Sequence, residues 1–344
     1  MQNNEFDPNS AGIDNGNFFG LPFGIEDAKI VLIPVPWDVT TSYRTGTSNG
    51  PEAIMEASLQ IDLYDADFGN TWQNGIACLP DNKKIKKLNK KFRKKAESII
   101  KAHEKGKDIN TPELATILAQ VNKASETLNH NIYENAIAIL NKNKIPGVVG
   151  GEHSVPYGHI KALSEKYLDF GILHIDAHAD LRQAYEGFEF SHASIMFNAL
   201  KLPNISKILQ IAIRDYSEQE KALAEQSEKI EWYNDSLLFE KQAQGISWAT
   251  LCQEIVKKLP EKVYLSFDID GLDPGCCPST GTPVPGGLSF NQAVYLLKEL
   301  KQQNKTIIGF DLCEVSPGTP DDIDAIYGAR LLFKICSLIL DSFS

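Results

Sequence analysis

The stretch "FGILHIDAHADLR" (residues 170–182) runs apolar and then delivers acid, imidazole and acid at two-residue spacing: Asp176, His178 and Asp180. An apolar run of this length reads as a strand buried on both faces, which is the habit of parallel sheets. In a strand, alternate residues share one side. The three polar side chains therefore converge if the chain stays extended past Ile175.

The same kind of run recurs outward from this segment. "AKIVLIPVPW" (28–37), "KIPGVVGG" (144–151), "KILQIAIRD" (207–215), "KVYLSFDID" (262–270) and "TIIGFDLCEV" (306–315) all read as buried strands. Helix-length segments such as "PYGHIKALSEKY" (156–167) and "SFNQAVYLLKELKQQ" (289–303) lie between them. Alternation of this type predicts one α/β domain over residues 1–344, a mainly parallel sheet covered by helices. The charge run "KKIKKLNKKFRKKAESIIKAHEKGK" (83–107) reads as a solvated basic helix, with 83–125 a peripheral helical pair or insertion.

A second strand end carries Asp268 and Asp270 at the same spacing, and a Gly-Gly turn in "VVGGEHSVPYGH" carries His153. Taken singly, such an Asp is as readily a cap or turn residue. Three strand ends supplying only Asp and His are a different matter, because buried carboxylates cost several kcal/mol each unless paired or bound to a cation. Ligands at the carboxyl ends of parallel strands also sit where open sheets place their active sites. The six residues His153, Asp176, His178, Asp180, Asp268 and Asp270 exceed the needs of one ion, which implies two. Oxygen and imidazole donors without thiolate suit manganese, with nickel, cobalt, iron and zinc also admissible. Paired divalent ions activate water at neutral pH, so the expected chemistry is metal-assisted hydrolysis.

Composition sets the remaining bounds. The 344 residues, 42% hydrophobic, suffice for a large core, and no stretch is apolar for the roughly 18 residues of a membrane span. The start "MQNNEFDPNSAG" lacks a secretory signature, so the cytoplasm is the expected compartment. Six cysteines, Cys276 and Cys277 adjacent, read as reduced thiols. A formal charge of -11 argues against general nucleic-acid binding and favours a cationic small-molecule substrate.

With these residues in view, the chain closely resembles the ureohydrolases: arginase, agmatinase, formimidoylglutamase and their relatives. The segments that carry the resemblance are "GGEHS" (150–154), "DAHADLR" (176–182), "SHAS" (191–194), "SFDIDGLDP" (266–274), "TGTPVPGGLS" (280–289) and "EVSP" (314–317), with "VPWDVTTSYRTGTSNGPEAI" (35–54) at the N-terminal side. The resemblance implies an arginase-like three-layer α/β/α fold, a homo-oligomer of three or six chains, and hydrolysis of a guanidino or formimidoyl C–N bond by a metal-bridging hydroxide. One ion would be held by His153, Asp176, Asp180 and Asp268, the other by Asp176, His178, Asp268 and Asp270. Asp180 would orient the hydroxide, His192 would shuttle a proton to the departing amine, and Glu314 would hold the guanidinium. Asp273, Thr280, Thr282, Gly281, Gly286 and Gly287 would shape the loop after the second aspartate pair.

"GGEHS" and "EVSP" are similar to the agmatinase branch. Val39, Thr40 and Ser48 depart from its usual N-terminal pattern, and "PWDVTTSY" resembles relatives acting on smaller guanidines, including nickel-dependent guanidine hydrolases. Trp37 either walls a short pocket by cation-π contact or packs between sheet and helix. The expectations are thus an agmatinase-like enzyme, then a hydrolase of free guanidine or a short guanidino acid, then a formimidoylglutamase, and last a non-catalytic metal-binding regulatory subunit.

Overall fold

The computed structural model describes residues 6–80, 82–318 and 322–343. In chain order its elements are β1 (Ile30–Val35), α1 (Gly50–Ser58), β2 (Ile76–Cys78), α2 (Lys83–Glu104), α3 (Pro112–Asn141), β3 (Ile145–Gly150), α4 (Tyr157–Lys166), β4 (Phe170–Ile175), α5 (Ile195–Leu200), β5 (Ile205–Ile211), α6 (Glu218–Gln226), β6 (Ile230–Tyr233), α7 (Asp235–Ala243), α8 (Trp248–Lys257), β7 (Lys262–Asp268), α9 (Phe290–Gln302), β8 (Thr306–Cys313) and α10 (Ile323–Leu340). The strands form one sheet in the order β2-β1-β3-β8-β7-β4-β5-β6. Every pairing in it is parallel.

Two buried clusters give the three layers. One packs α1, α8, α9 and α10 on one face of the sheet, and the other packs α2, α3, α4 and α5 on the opposite face. The central strands are covered on both sides, which is why β4 and β7 are buried almost throughout and carry no polar alternation. Local signals agree with the elements: Ser289 caps α9 with a reciprocal bond to Gln292, and Thr111 precedes the proline that opens α3.

All six strands expected from the sequence are present; β1, β4, β7 and β8 stop two or three residues before their apolar runs end and β3 one, while β5 starts two residues earlier than its run and stops four earlier. Two edge strands, β2 and β6, escaped the sequence pattern because at three and four residues they are too short to show a period. The successive strands β3 and β4 are separated by β8 and β7. Their carboxyl ends therefore open a crevice, and the loops leaving β3, β8, β7 and β4 meet in it. Gly151 lets one of them close: a Cβ there would lie 2.1 Å from the Trp37 carbonyl oxygen, so only glycine lets the loop after β3 lie against the loop after β1. No described helix is long and apolar enough to cross a membrane.

Candidate metal centre

Asp176, His178 and Asp180 do converge, though not by an extended strand. β4 ends at Ile175, His178 forms a lone parallel bridge with Asp215, and Asp180 turns into the left-handed region at φ 53°. Strand alternation therefore does not bring them together, because past Ile175 only the single His178–Asp215 bridge pairs the backbone before it turns at Asp180. Asp270 likewise lies past β7, in a single helical turn (Ile269–Gly271) whose amide donates to Asp268 Oδ1 at 2.9 Å.

Two donor clusters result. His153 Nδ1 stands 3.0 Å from Asp176 Oδ2, 3.2 Å from Asp268 Oδ2 and 3.4 Å from Asp180 Oδ2. His178 Nδ1 stands 3.2 Å from Asp270 Oδ2 and 3.5 Å from Asp176 Oδ1. Two donors that share one ion at about 2.1 Å in octahedral geometry lie about 3 Å apart, so both clusters have the spacing of a coordination shell. Asp176 turns one oxygen to each cluster and so lies between them.

Electrostatics points the same way. Burial would lower His153, but the surrounding carboxylates of Asp176, Asp180 and Asp268 override it and raise the imidazole well above its ordinary value. Asp180 is pushed up to about 6 by burial and by the neighbouring Asp176 charge. Burial, reinforced by Asp270 and Asp176, holds Asp268 well above the carboxylate range. The cluster retains protons because it is short of positive charge, and a divalent cation is the natural replacement for them.

Residues outside the expected set orient the donors. Trp232 Nε1 donates to Gln210 Oε1 (2.6 Å), which turns the Gln210 amide nitrogen toward His174 Nδ1 (2.8 Å). His174 then carries its proton on Nε2 and donates it to Asp176 Oδ2 at 2.9 Å. His174 lies near enough to His153, Asp176 and Asp180 to complete a metal site, but this donor chain makes it a brace for Asp176. On the other side, His153 Nε2 faces Ser266 Oγ at 2.9 Å and Asp311 Oδ1 at 3.3 Å. Both Asp311 oxygens are buried without a hydrogen bond among the described residues, so the carboxylate is free to fix the His153 ring with Nδ1 toward the acids. His174 lay in plain view, two residues before Asp176 and on the same face of the strand. Asp311 sits inside an apolar run with nothing to mark it.

Glu314 leaves the end of β8 at φ 62°, a second buried acid with left-handed backbone at the same sheet end. Its Oε1 accepts the His153 amide (2.8 Å), and Thr280 Oγ1 donates to its carbonyl (2.9 Å). A Cβ on Gly281 would lie 3.5 Å from Oε2, so that glycine leaves room beside the second oxygen. Burial raises Glu314 well above the usual carboxylate range. His192 opens a short turn, its amide donating to Thr40 Oγ1 (3.1 Å) and its Nδ1 3.4 Å from the same oxygen. Burial, then the charges of His178 and Arg93, drive His192 down to about 3, so its ring is neutral.

These features meet a clear match. The sequence model of the arginase family spans residues 28–337. The chain belongs to the arginase family. It is 30% identical over 315 residues to the N(1)-aminopropylagmatine ureohydrolase of Synechocystis, covering 90% of this chain and 88% of that one. It is 31% identical over 316 residues to the agmatinase of Pyrococcus horikoshii, covering 91% and 93%. Among solved structures, the agmatine ureohydrolase of Thermoplasma volcanium superposes with a TM-score of 0.73 at 25% identity over 96% of each chain.

In this arginase-family chain the centre opens into a cavity of about 400 Å³. His178, Asp180 and His192 form its inner wall, and Tyr43, Arg44, Arg182 and Tyr185 its mouth. His192 is thus part of the site. Trp37 is not: it is fully buried in the core on the α2 and α3 face, away from the cavity. The cation-π role considered for Trp37 is corrected to packing, and Val39 is buried in the same cluster. Thr282 lines the cavity, while Asp273 and Thr280 hold the surrounding loop. All six cysteines are free thiols.

Proposed function

We propose that this protein is a metal-dependent ureohydrolase that cleaves the C–N bond between a guanidino carbon and an amine-bearing alkyl tail, as in agmatine. The observation that carries this reading is Asp176, its two oxygens turned to two histidine-centred donor clusters. His153, Asp176, Asp180 and Asp268 would hold one divalent ion, and Asp176, His178, Asp268 and Asp270 the other. Manganese fits this donor set best and nickel is the alternative. Such a pair supplies Lewis acidity and an activated water. Water adds at the guanidino carbon, the bond to the tail nitrogen breaks, and urea and an amine leave.

The chain's own groups supply the rest. Glu314 Oε2 accepts guanidinium N–H groups, a charge-assisted pairing. Asp180 accepts the proton of the attacking water and so orients it. His192 is neutral, and with Nδ1 held against Thr40 its Nε2 can take up a proton and pass it to the departing amine.

The size of the cavity favours a tailed substrate. At about 30 Å³ per water, 400 Å³ holds on the order of a dozen waters, whereas free guanidinium fills the room of only a few. The burial of Trp37 removes one of the features that spoke for a closed, guanidine-sized pocket. The homo-oligomeric assembly, three or six chains, and the cytoplasmic compartment belong to the same proposal and rest on family membership. The test is urea release by manganese-loaded and nickel-loaded protein from agmatine, aminopropylagmatine, arginine, guanidinobutyrate and free guanidine, with formimidoylglutamate followed by formamide. Urea from agmatine or aminopropylagmatine is expected. Turnover of free guanidine alone would overturn the tailed substrate, formamide alone would indicate a formimidoylglutamase, and no turnover of any compound would favour a regulatory subunit.

A further inference from the structure

The basic segment 83–107 holds 11 lysines and a single arginine, Arg93. Most of the lysines are exposed, but the Arg93 side chain is only 14% exposed. Its Nη1 donates to the carbonyl of Thr41 (2.6 Å), to Thr41 Oγ1 (3.0 Å) and to the carbonyl of Val39 (3.2 Å), and lies 3.4 Å from that of Asp38. One turn earlier Asn89 exchanges two hydrogen bonds of 2.8 Å with Asp38. The loop so gripped carries Thr40, which holds His192, and continues into Ser42, Tyr43 and Arg44 of the cavity.

The same helical pair reaches a second loop. His103 Nε2 lies 3.2 Å from the Glu186 carbonyl, and Asn122 of α3 donates to the Gly187 carbonyl at 3.1 Å. Glu186, at φ 54°, has a buried oxygen without a hydrogen bond among the described residues. Burial raises that carboxyl above its ordinary value, and the charge of Arg93 acts against the rise. Its neighbour Tyr185 lines the cavity and meets the His192 ring edge-on at 5.9 Å.

We propose that Arg93 is a positioning residue for the reaction, a cation from the basic helix that clamps the loop 38–44 so that Thr40 presents His192 and the cavity mouth keeps its shape. All of these contacts are made by the one nitrogen Nη1, so the length of the side chain and its charge set the grip, not the span of the guanidinium. The helix thus acts inward, through its arginine, and the exposed lysines serve solvation. This inference rests on the ureohydrolase reading for its kinetic consequence but not for its structural one.

The experiment compares Arg93→Ala, Arg93→Met, Leu88→Ala and Lys91→Ala in manganese-loaded full-length protein. Agmatine turnover, bound metal, melting temperature and amide hydrogen exchange over residues 38–44 are all recorded. Arg93→Ala is expected to lower kcat/KM about tenfold or more, mostly in kcat, while keeping the parental metal content and speeding exchange in 38–44. Leu88→Ala, which loses packing from the same helix, should lower the melting temperature with kinetics unchanged, and Lys91→Ala should alter neither. Unchanged kcat, KM and exchange in Arg93→Ala, or an equal kinetic loss in Leu88→Ala, would overturn the proposal. Should Arg93→Ala not fold, Arg93→Met decides, since it keeps the stem without the donors, and parental kinetics and exchange in that variant would overturn the clamp. If the parent protein turns over no guanidino compound, the ureohydrolase reading fails by itself and exchange in 38–44 still tests the clamp.

Discussion

Beneath the cavity, behind the His178 and Asp180 that line it, lies a floor of His153, Asp176 and Asp268, which stand at or within three residues of the ends of β3, β4 and β7 and are nearly inaccessible. At its mouth Ser42, Tyr43, Arg44 and Tyr185 lie on loops well beyond any strand, gripped from outside by α2 and α3. The floor is fixed by the hydrogen-bonded ladder, so its geometry comes with the fold. The mouth is fixed by a few side chains of the α2 and α3 pair, so it can change without disturbing the floor. Chemistry and specificity are thereby assigned to different parts of the molecule.

The sharpest way to break that division is at the floor. Asp268→Ala should reduce urea release by about a thousandfold or more and lower the metal content below two ions per chain, measured by kinetics and elemental analysis. Full activity with two ions would remove Asp268 from the centre. A smaller effect is expected one layer out. Asp311→Asn keeps the volume but replaces an acceptor beside His153 Nε2 by an amide, and should weaken metal binding about 10- to 100-fold in a competition titration. Unaltered affinity would leave Ser266 as sufficient support for the ring.

Two further outcomes concern the scaffold and should leave substrate preference untouched. His159 is buried beneath the sheet, its Nε2 without a hydrogen bond among the described residues, and burial depresses it from 6.5 to about 3. The unfolded chain takes up a proton there below 6.5 and the folded chain refuses it. His159 therefore contributes stability above that pH, and the contribution declines as pH falls toward 3. His159→Gln should flatten the acid side of a urea-denaturation pH series. The smallest change is expected for Trp37→Phe. Loss of buried area is partly offset because Trp37 Nε1 has no hydrogen bond among the described residues, so stability should shift by about 1 kcal/mol, with KM unchanged. A large rise in KM would return Trp37 to the substrate pocket.

The reach of the sequence follows the same line between floor and mouth. The buried strands and five of the six expected ligands lie in or directly after apolar runs, where pattern and chemistry coincide, and His153 follows a Gly-Gly turn. Asp180 reaches the cluster by a route that strand alternation does not describe, since its left-handed backbone is a property of the turn. His192 and Glu314 came from resemblance, and only the fold brings "SHAS" against Thr40 and "EVSP" against the amide of His153. The grip of Arg93 on residue 41 depends on contacts 52 positions apart. No local pattern distinguishes that arginine from the lysines beside it, so the segment read as a solvated helix.

The most direct test of the two-ion centre is anomalous diffraction from crystals soaked in manganese. The account predicts two peaks about 3.5–4 Å apart, with the carboxylate of Asp176 between them, one beside His153 and the other beside His178. A single peak beside either histidine, or none at either, would contradict it.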